Sequence, residues 1–371
     1  MSLERQLLIW AAILAALLYG LSKLGSVVTP FAAGIALGYL LDPLARKLER
    51  LGLNRLTASL LIMVAFAIVA VWSVAVVAPI LGNQVLSFSQ RLPDFAVKLR
   101  ALALDEVGAL TAKYGGGWLA PLGLNGDQPS SAQIEKWLGD LGAQAAHWLI
   151  DALRSLVSGG AAVFSFMSLM IITPVVAFYI LVDWRRMTAY LDGLVPRDYR
   201  DTVRVMAGEI DRALAGFIRG QSLVCLFLGL WDGLGLTFVG LDFGLLIGVT
   251  AGALSFVPYV GTLIALLLSL GVGLVQGWPS LRLVALALGV VVSGEFLNSY
   301  VVSPKLVGES VGLHPVWLMF ALLAFGQLFG FAGLIVAVPA AAAVGVLARH
   351  LIALYFRSPL YRGASGRADA R

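Results

Sequence analysis

The chain has 371 residues, of which 60% are hydrophobic and 13% are charged, and its formal net charge is +5. Soluble domains carry roughly a quarter charged residues, so this composition excludes an ordinary soluble protein and predicts a polytopic membrane protein. The single cysteine, Cys225, excludes an intramolecular disulfide, and the positive charges gather beside apolar runs, where membrane topology rather than nucleic-acid binding explains them.

Three apolar runs in residues 1–81 are interpreted as N-terminal transmembrane helices. They extend over residues 7–24, 27–41 and 57–81. Pro30 is expected to open the second run and Asp42-Pro43 to close it. The loop that follows is rich in arginine and lysine, so it is predicted to be cytoplasmic, and the N-terminus with it.

Residues 82–156 are more polar and are interpreted as an external segment. Two stretches of it, 84–104 and 131–156, have the pattern of amphipathic helices that lie on the bilayer or on the spans. A slight acidic balance favours the external side.

Residues 157–212 combine a fourth span with a surface helix. The span covers 157–182, with a kink expected at Thr173-Pro174 and an end expected at Asp183-Trp184-Arg185-Arg186. The charged stretch 187–212 predicts one helix on the cytoplasmic surface.

Residues 213–348 are the predicted transport region. Full spans over 216–240 and 281–302 each precede an apolar block interrupted by glycine and proline, 243–276 and 316–347. As helices, the two arms of the first block reach only about 22 to 24 Å, short of the roughly 30 Å hydrocarbon core. Two re-entrant hairpins in an inverted repeat explain this pattern. Two broken full crossings also explain it, and both leave the basic tail, 349–371, in the cytoplasm.

Polar residues within these apolar runs are the candidates for transport and ion coupling. Glu295 and Asn298 lie one turn apart before Pro304, which is expected to stop the helix. An ionised carboxylate is expensive in hydrocarbon, so Glu295 either exchanges a proton or cation or is paired structurally. Asp232 and Gln327 are further candidates, and a structural cap or pair is the alternative for Asp232.

Two more groups of residues have a functional and a structural interpretation. Breaks in a helix expose backbone groups that bind substrate, and they also permit close packing; the candidates are Pro258, Tyr259, Gly261, Gly330 and Pro339. Gating candidates are Arg219, Gln221 and Lys305, although arginine at a helix entrance commonly snorkels. The sequence has no catalytic motif, and we expect neither enzyme activity, nor a cofactor, nor a metal site.

These residues resemble the autoinducer-2 exporter family of bacterial inner-membrane transporters, which are PerM-like. The resemblance covers most of the chain and includes Pro30-Phe31, Tyr39 through Pro43, Phe178-Tyr179 with Asp183, Arg219-Gly220-Gln221, Phe256 through Gly261, Pro304 with Gly312-Leu313-His314-Pro315, and Phe329-Gly330 through Gly333 to Pro339. It implies a secondary transporter that exports an autoinducer-2-like furanone in quorum sensing, or a sodium or lithium/proton antiporter. Where relatives carry an acid, this chain has Asn298, and Glu295 stands one turn earlier.

We therefore expect an all-α polytopic membrane protein with about six full spans, two re-entrant hairpin-like elements and an external amphipathic helical segment. The expected partners are the lipid bilayer, a small polar solute and Na⁺ or H⁺, with no nucleic acid. Small-residue stretches in the spans also predict a homo-oligomer. A channel-like pore and a membrane scaffold are the alternatives to a transporter.

Overall fold

The computed structural model describes residues 20, 25–114, 160–306, 314–357 and 361. Within these ranges the secondary structure is helical and contains no strand, which confirms the all-α prediction. A helix satisfies its backbone hydrogen bonds internally, as the bilayer requires. Three predicted parts lie wholly or mostly outside the described residues. They are the first span, 7–24, of which only residue 20 is described, the amphipathic helix 131–156, and most of the basic tail.

The helices are defined by their bounds in chain order. They are α1 Gly25–Arg50, α2 Arg55–Tyr114, α3 Gly160–Leu194, α4 Arg200–Phe238, α5 Gly244–Leu254, α6 Val260–Gly277, α7 Arg282–Leu297, α8 Ser303–Leu306 and α9 Pro315–Arg357. A 3-10 turn, Arg197–Tyr199, precedes α4, and a π-helix, Asn298–Val302, joins α7 to α8.

Among the described residues, five segments are long and apolar enough to cross a membrane, so the protein is polytopic. They are Arg55–Arg91, Arg197–Phe238, Val260–Gly277, Arg282–Leu306 and Gly333–Phe356. The predicted span 27–41 and the described part of the predicted span 157–182, residues 160–182, lie in α1 and α3, outside these five segments.

Several predicted helix ends are wrong, because proline is accommodated inside these helices. α1 continues past Pro43 to Arg50. The predicted span 57–81 is part of α2, which contains Pro79 and Pro93 and ends only at Tyr114. The last full span also continues through Pro304 as α8. The π-helix before Pro304 widens the turn, which accommodates the carbonyl that loses its N–H partner at a proline.

The predicted surface helix 187–212 is wrong as a single element. α3 continues through Trp184 to Leu194, and α4 continues without a break from Arg200 into the fifth span. Pro196, with φ −55° and ψ 139°, separates the two helices. Asp192 at the end of α3 accepts two hydrogen bonds of 2.7 Å from Arg204, which ties α3 to the start of α4.

Both interrupted blocks are broken at the predicted positions. Tyr259, with φ 69°, separates α5 from α6, and Gly330, with φ 62° and ψ −142°, divides α9 into two arms. In each block the arms pack on each other so closely that a side chain would not fit. An added Cβ on Gly261 would overlap Ser255 and the Ala251 carbonyl, and one on Gly333 would overlap the Phe325 carbonyl. Each block is therefore a helix pair folded at its break.

Two compact units organise the described helices: the described residues within 1–70, 165–224 and 299–371 form the first, and those within 71–164 and 225–298 form the second. The core of the first unit joins α1, α2 and α3 through Ala45, Ile62 and Leu181. The core of the second unit joins α4, α5, α6 and α7 through Leu236, Ile247, Ala265, Ala287 and Val291, which all have side chains at most 2% exposed.

Glycines bring α4 and α5 into backbone contact within the second unit. An added Cβ on Gly248 would overlap the backbone of Gly233, and one on Gly252 would overlap that of Gly229. In a bilayer, such small residues allow helices to gain van der Waals contact that larger side chains would prevent. This contact fixes the position of α5 beside the part of α4 that carries Asp232.

Candidate functional site

The polar residues within the helices of the second unit form one cluster. α4 contributes Asp232, α6 contributes Thr262, α7 contributes Glu295, and the π-helix contributes Asn298. The Asp232 side chain is buried, at 4% exposure, and the other three are half-buried. We call these four residues the acid-pair site.

The Glu295 carboxylate connects α6 to α7. Thr262 Oγ1 donates a hydrogen bond of 2.7 Å to Glu295 Oε2, and Asn298 Nδ2 donates one of 3.3 Å to Oε1. Both carboxylate oxygens are therefore held by side chains of the same site. The structure confirms neither a transport role nor a structural role for Glu295, but it places Asn298 where the helical spacing predicts.

Asp232 lies beside the Glu295 carboxylate. Its Oδ1 lies 3.1 Å from the position that a Cβ on Gly294, the residue before Glu295, would occupy. Asp232 Oδ1 and Asn298 Oδ1 are both buried and accept no hydrogen bond. Since buried polar atoms are nearly always hydrogen-bonded, these two oxygens are acceptors that a ligand of the site can use.

Trp231 holds α4 against α7 next to the acids. Its Nε1 lies 3.2 Å from the Val290 carbonyl oxygen and 3.3 Å from Ser293 Oγ, and it donates to both. A Cβ on Gly294 would lie 2.7 Å from the indole Cδ1, so the absence of a side chain there permits the contact. Trp231, next to Asp232, and Gly294, next to Glu295, thus let α4 and α7 approach each other.

The break between α5 and α6 positions Thr262. Ser255 Oγ donates to the Ala251 carbonyl at 2.8 Å, and Gly261 packs against the same turn. Pro258 and Tyr259 form the break itself, and the Tyr259 side chain is exposed. Thr262 follows in the first turn of α6, where it contacts α7.

Thr262 is the site residue that the sequence analysis missed. A signal was available, because it is a hydroxyl residue directly after the predicted break and ahead of a long apolar arm.

The other predicted residues belong to the first unit. Gln327 is exposed on the first arm of α9, Pro339 lies inside the second arm, and Lys305 is exposed on α8. Arg219 Nε donates to the Tyr39 carbonyl at 3.0 Å, and Gln221 is buried on the same helix.

The acid-pair site offers only oxygen ligands. Two carboxylates, an amide oxygen and a hydroxyl suit a proton or a hard cation better than a soft transition metal. Within the described residues, no group of three His, Cys, Asp or Glu side chains gathers as a polydentate metal site.

Apolar helices of membrane-crossing length, together with two apolar blocks folded at a break, define the class of the protein as a multi-pass helical membrane protein. The model of the AI-2E family transporters matches residues 7–353, and the chain belongs to this family. The resemblance recognised in the sequence is therefore confirmed.

Bacterial proteins named as candidate transporters are similar over most of the chain. YrrI of Bacillus subtilis (strain 168) is 28% identical over 327 residues, which cover 88% of this chain and 87% of YrrI. The candidate permease PerM of Escherichia coli (strain K12) is 25% identical over 319 residues, which cover 85% of this chain and 84% of PerM. The protein is thus a multi-pass bacterial membrane protein of a transporter family.

Proposed function

We propose that the protein is a secondary transporter of the inner membrane that exports a small polar solute and couples the export to a cation at the acid-pair site. The observation that supports this most directly is that Asp232 of α4 lies against the turn of α7 that carries Glu295, while Asp232 Oδ1 and the neighbouring Asn298 Oδ1 are buried and accept no hydrogen bond. Family membership supports an autoinducer-2-like furanone as the solute.

The physical argument starts from the cost of two negative charges in one buried place. Carboxylates that share a site of low dielectric repel each other, and the pair is stabilised when it takes up a proton or a small cation. Asp232 makes no ion pair with any described residue that could neutralise it instead. The positive charge therefore comes from the transported or coupling ion.

Ion uptake changes the contact between α6 and α7. As a carboxylate, Glu295 accepts hydrogen bonds from Thr262 and Asn298. Once protonated, it also becomes a donor, for which Asp232 Oδ1 and Asn298 Oδ1 are acceptors. The loaded and unloaded states thus favour different hydrogen bonds across the same helix contact, which is the requirement for coupling ion binding to alternating access.

The folded break at Tyr259 supports a pathway through backbone groups beside the acid-pair site, because Thr262 follows it in the first turn of α6. We further propose that the two folded blocks are re-entrant hairpins of an inverted repeat. Arg219, Gln221 and Lys305 gate the pathway, and the protein is a homo-oligomer. Gln327, Gly330 and Pro339 are the pathway residues of the second block.

The ligand chemistry of the site favours one alternative, a sodium or lithium/proton antiporter. The four side chains supply the hard oxygen ligands that these ions prefer. In that case the cation bound by Asp232 and Glu295 is the cargo, and no organic solute crosses.

Flux in proteoliposomes tests both functions. We expect wild-type protein to move a furanone solute in response to a proton or sodium gradient. Glu295→Gln and Asp232→Asn keep the side-chain shape but remove the charge, so each should lower gradient-driven flux by about tenfold or more and flatten its pH profile. The matched control is Asp94→Asn, an exposed acid of the same unit, which should behave as wild type.

The outcomes separate the alternatives. Cation exchange without furanone flux, lost in the same two variants, identifies the antiporter. Wild-type flux with an unchanged pH and sodium dependence in the Glu295→Gln/Asp232→Asn double variant would show that the acids are structural.

A further inference from the structure

A polar cavity of about 160 Å³ lies within the first unit, between α1, α3 and α4. Its walls include Tyr39 and Asp42 of α1, Trp184 of α3, and Asp211 and Arg219 of α4. By the same measure, one water needs about 10–15 Å³, so the cavity accommodates a group of roughly ten heavy atoms. We call it the interface cavity, because the residues around it lie at the ends of the apolar parts of α1 and α3 and at the start of that of α4.

The acids of the interface cavity already have donors. Asp42 Oδ2 accepts from Arg46 at 2.6 Å and Asp42 Oδ1 accepts from Arg55 at 2.8 Å. Asp211 Oδ1 accepts a hydrogen bond of 2.8 Å from the Tyr39 hydroxyl. Both oxygens of Asp42 and one oxygen of Asp211 are thus used within the protein.

Two guanidinium groups keep unused donors. Arg212 donates only through Nε, to the Gly208 carbonyl at 3.1 Å, and Arg219 donates through Nε to the Tyr39 carbonyl at 3.0 Å. The closest carboxylate to Arg219 is Asp42, at 3.9 Å, which is beyond hydrogen-bond length. Among the described residues, the terminal nitrogens of Arg212 and Arg219 have no acceptor.

The spacing of these two arginines lets both of them reach one ligand in the cavity. Seven residues make about two helical turns, so Arg212 and Arg219 lie on the same face of α4, and both line the cavity. Guanidinium groups recognise phosphate and other oxyanions through pairs of parallel N–H donors. The lining has three arginines, Arg46, Arg212 and Arg219, against two aspartates, which favours an anionic occupant.

We propose that the interface cavity binds a phosphate oxyanion between Arg212 and Arg219. The aromatic pair Tyr39–Trp184, with ring centroids 5.7 Å apart, forms an adjacent amphipathic wall, as is common where a protein meets the headgroup layer. The remaining oxygen of Asp211 accepts a hydroxyl of the ligand. This chemistry is shared by a free phosphate ester from the cytoplasm and by the headgroup of an anionic lipid such as phosphatidylglycerol.

The test has two ligand arms and uses the full-length purified protein. In detergent, inorganic phosphate is titrated against chloride at equal ionic strength, and tryptophan fluorescence is followed with a Trp184→Phe variant to isolate the Trp184 signal. In parallel, the protein is reconstituted in phosphatidylcholine nanodiscs with and without phosphatidylglycerol, and its thermal unfolding is measured. A saturable response to phosphate indicates a free phosphate ester, and a response to phosphatidylglycerol alone indicates a lipid headgroup.

Variants connect either response to the cavity. Arg212→Gln should fold normally, because Arg212 is exposed and contacts only a backbone carbonyl, and it should weaken the apparent affinity about tenfold. Arg219→Lys keeps the charge but loses the paired donors, and it should also weaken binding. The control Arg186→Gln removes an exposed positive charge near Trp184 that does not line the cavity, and it should leave binding unchanged. Equal responses of Arg212→Gln, Arg186→Gln and wild type, or no saturable response to either anion, would overturn the proposal.

Discussion

Gly294 is the residue on which the geometry of the acid-pair site depends most closely. Gly294→Ala would place a methyl group 2.7 Å from Trp231 and 3.1 Å from Asp232 Oδ1, so one of these side chains must move. We expect a loss of about 1–3 kcal/mol in the free energy of unfolding, from the cost of overpacking, together with a loss of coupled flux. Thermal unfolding in detergent and flux in proteoliposomes measure the two effects.

Gly289, on the same helix, supplies the control for this prediction. A Cβ there meets no atom within 4 Å, so Gly289→Ala should be neutral or slightly stabilising. If Gly294→Ala and Gly289→Ala unfold at the same temperature and transport equally, the close contact between α4 and α7 does not exist in the membrane.

Asp42 predicts how stability depends on pH. Burial by itself would raise the pKa of this carboxyl, but hydrogen bonds from Arg55 and Arg46 outweigh burial and hold the pKa below its usual value. A depressed pKa means that the stabilisation is complete above the unfolded value, about 4, and is lost as the pH falls through the lower folded value. The unfolding temperature should therefore fall at acidic pH.

Asp42→Asn separates this effect from general acid denaturation. The variant should be less stable than wild type at neutral pH, and the difference should shrink below about pH 4, where the wild-type carboxyl also becomes neutral. The exposed Asp198, replaced by Asn, is the control for loss of an acid at the surface and should unfold at the wild-type temperature at neutral pH. A pH-independent gap between Asp42→Asn and wild type contradicts the ion-pair account.

The sequence identified the acids of the site but not their arrangement. Glu295, Asn298 and Asp232 are recognisable because a polar residue in an apolar run needs a reason to be there. The proximity of Asp232 to Glu295 depends on the packing of α4 on α7, which lie far apart in the chain. For the same reason, Thr262 becomes a candidate only when α6 is seen to pack on α7.

At the scale of helices, the breaks were predictable and the continuities were not. The breaks at Tyr259 and Gly330 combine glycine or proline with left-handed backbone, and both fall where the sequence predicts. Pro43, Pro79, Pro93 and Pro304 stay inside helices, because the rest of the helix and its neighbours compensate for one missing hydrogen bond. A single proline in an apolar run therefore does not decide whether a helix ends.

The contact between α4 and α5 leads to a prediction at this scale. Gly248→Ala would place a methyl group inside the backbone of Gly233, where no rotamer change can relieve the overlap. We expect a loss of about 3 kcal/mol or more, at the upper end for overpacking, or failure to accumulate in the membrane. Expression level and unfolding temperature after purification are the measurements.

A matched variant distinguishes this overlap from a general sensitivity to alanine. Gly271 lies on α6 with no atom within 4 Å of an added Cβ, so Gly271→Ala should express and unfold as wild type. Normal accumulation and stability of Gly248→Ala would mean that α5 does not pack on α4 as described.

At the scale of the whole molecule, composition alone determines the class of protein. With 60% hydrophobic and 13% charged residues, the chain has too few charged side chains to cover the surface of a soluble protein. The number of crossings is less accessible. Long helices such as α2 and α4 combine a span with a polar extension in one element, so hydropathy locates the span but not the helix end. Short arms such as Gly244–Leu254 fall below the length of a full span, and their path depends on the helices around them.

The last prediction concerns the sides from which the two folded blocks enter the membrane. In an inverted repeat of re-entrant hairpins, the first break faces the external side and the second faces the cytoplasmic side. Tyr259→Cys and Gln327→Cys place thiols at exposed positions at or near each break, on a Cys225→Ala background that removes the native thiol. We expect a membrane-impermeant maleimide, added to intact cells, to label Tyr259→Cys and not Gln327→Cys.

Permeabilised cells complete this experiment, because both thiols should then react. Asp198→Cys, an exposed position on the predicted cytoplasmic side, is the control that reacts only after permeabilisation. If the two blocks were full crossings instead, each break would lie near the bilayer centre. The reagent would then not distinguish the two thiols by the side from which it is added. Equal labelling of Tyr259→Cys and Gln327→Cys in intact cells would therefore remove the inverted repeat, while the acid-pair site, which lies within one unit, would be unaffected.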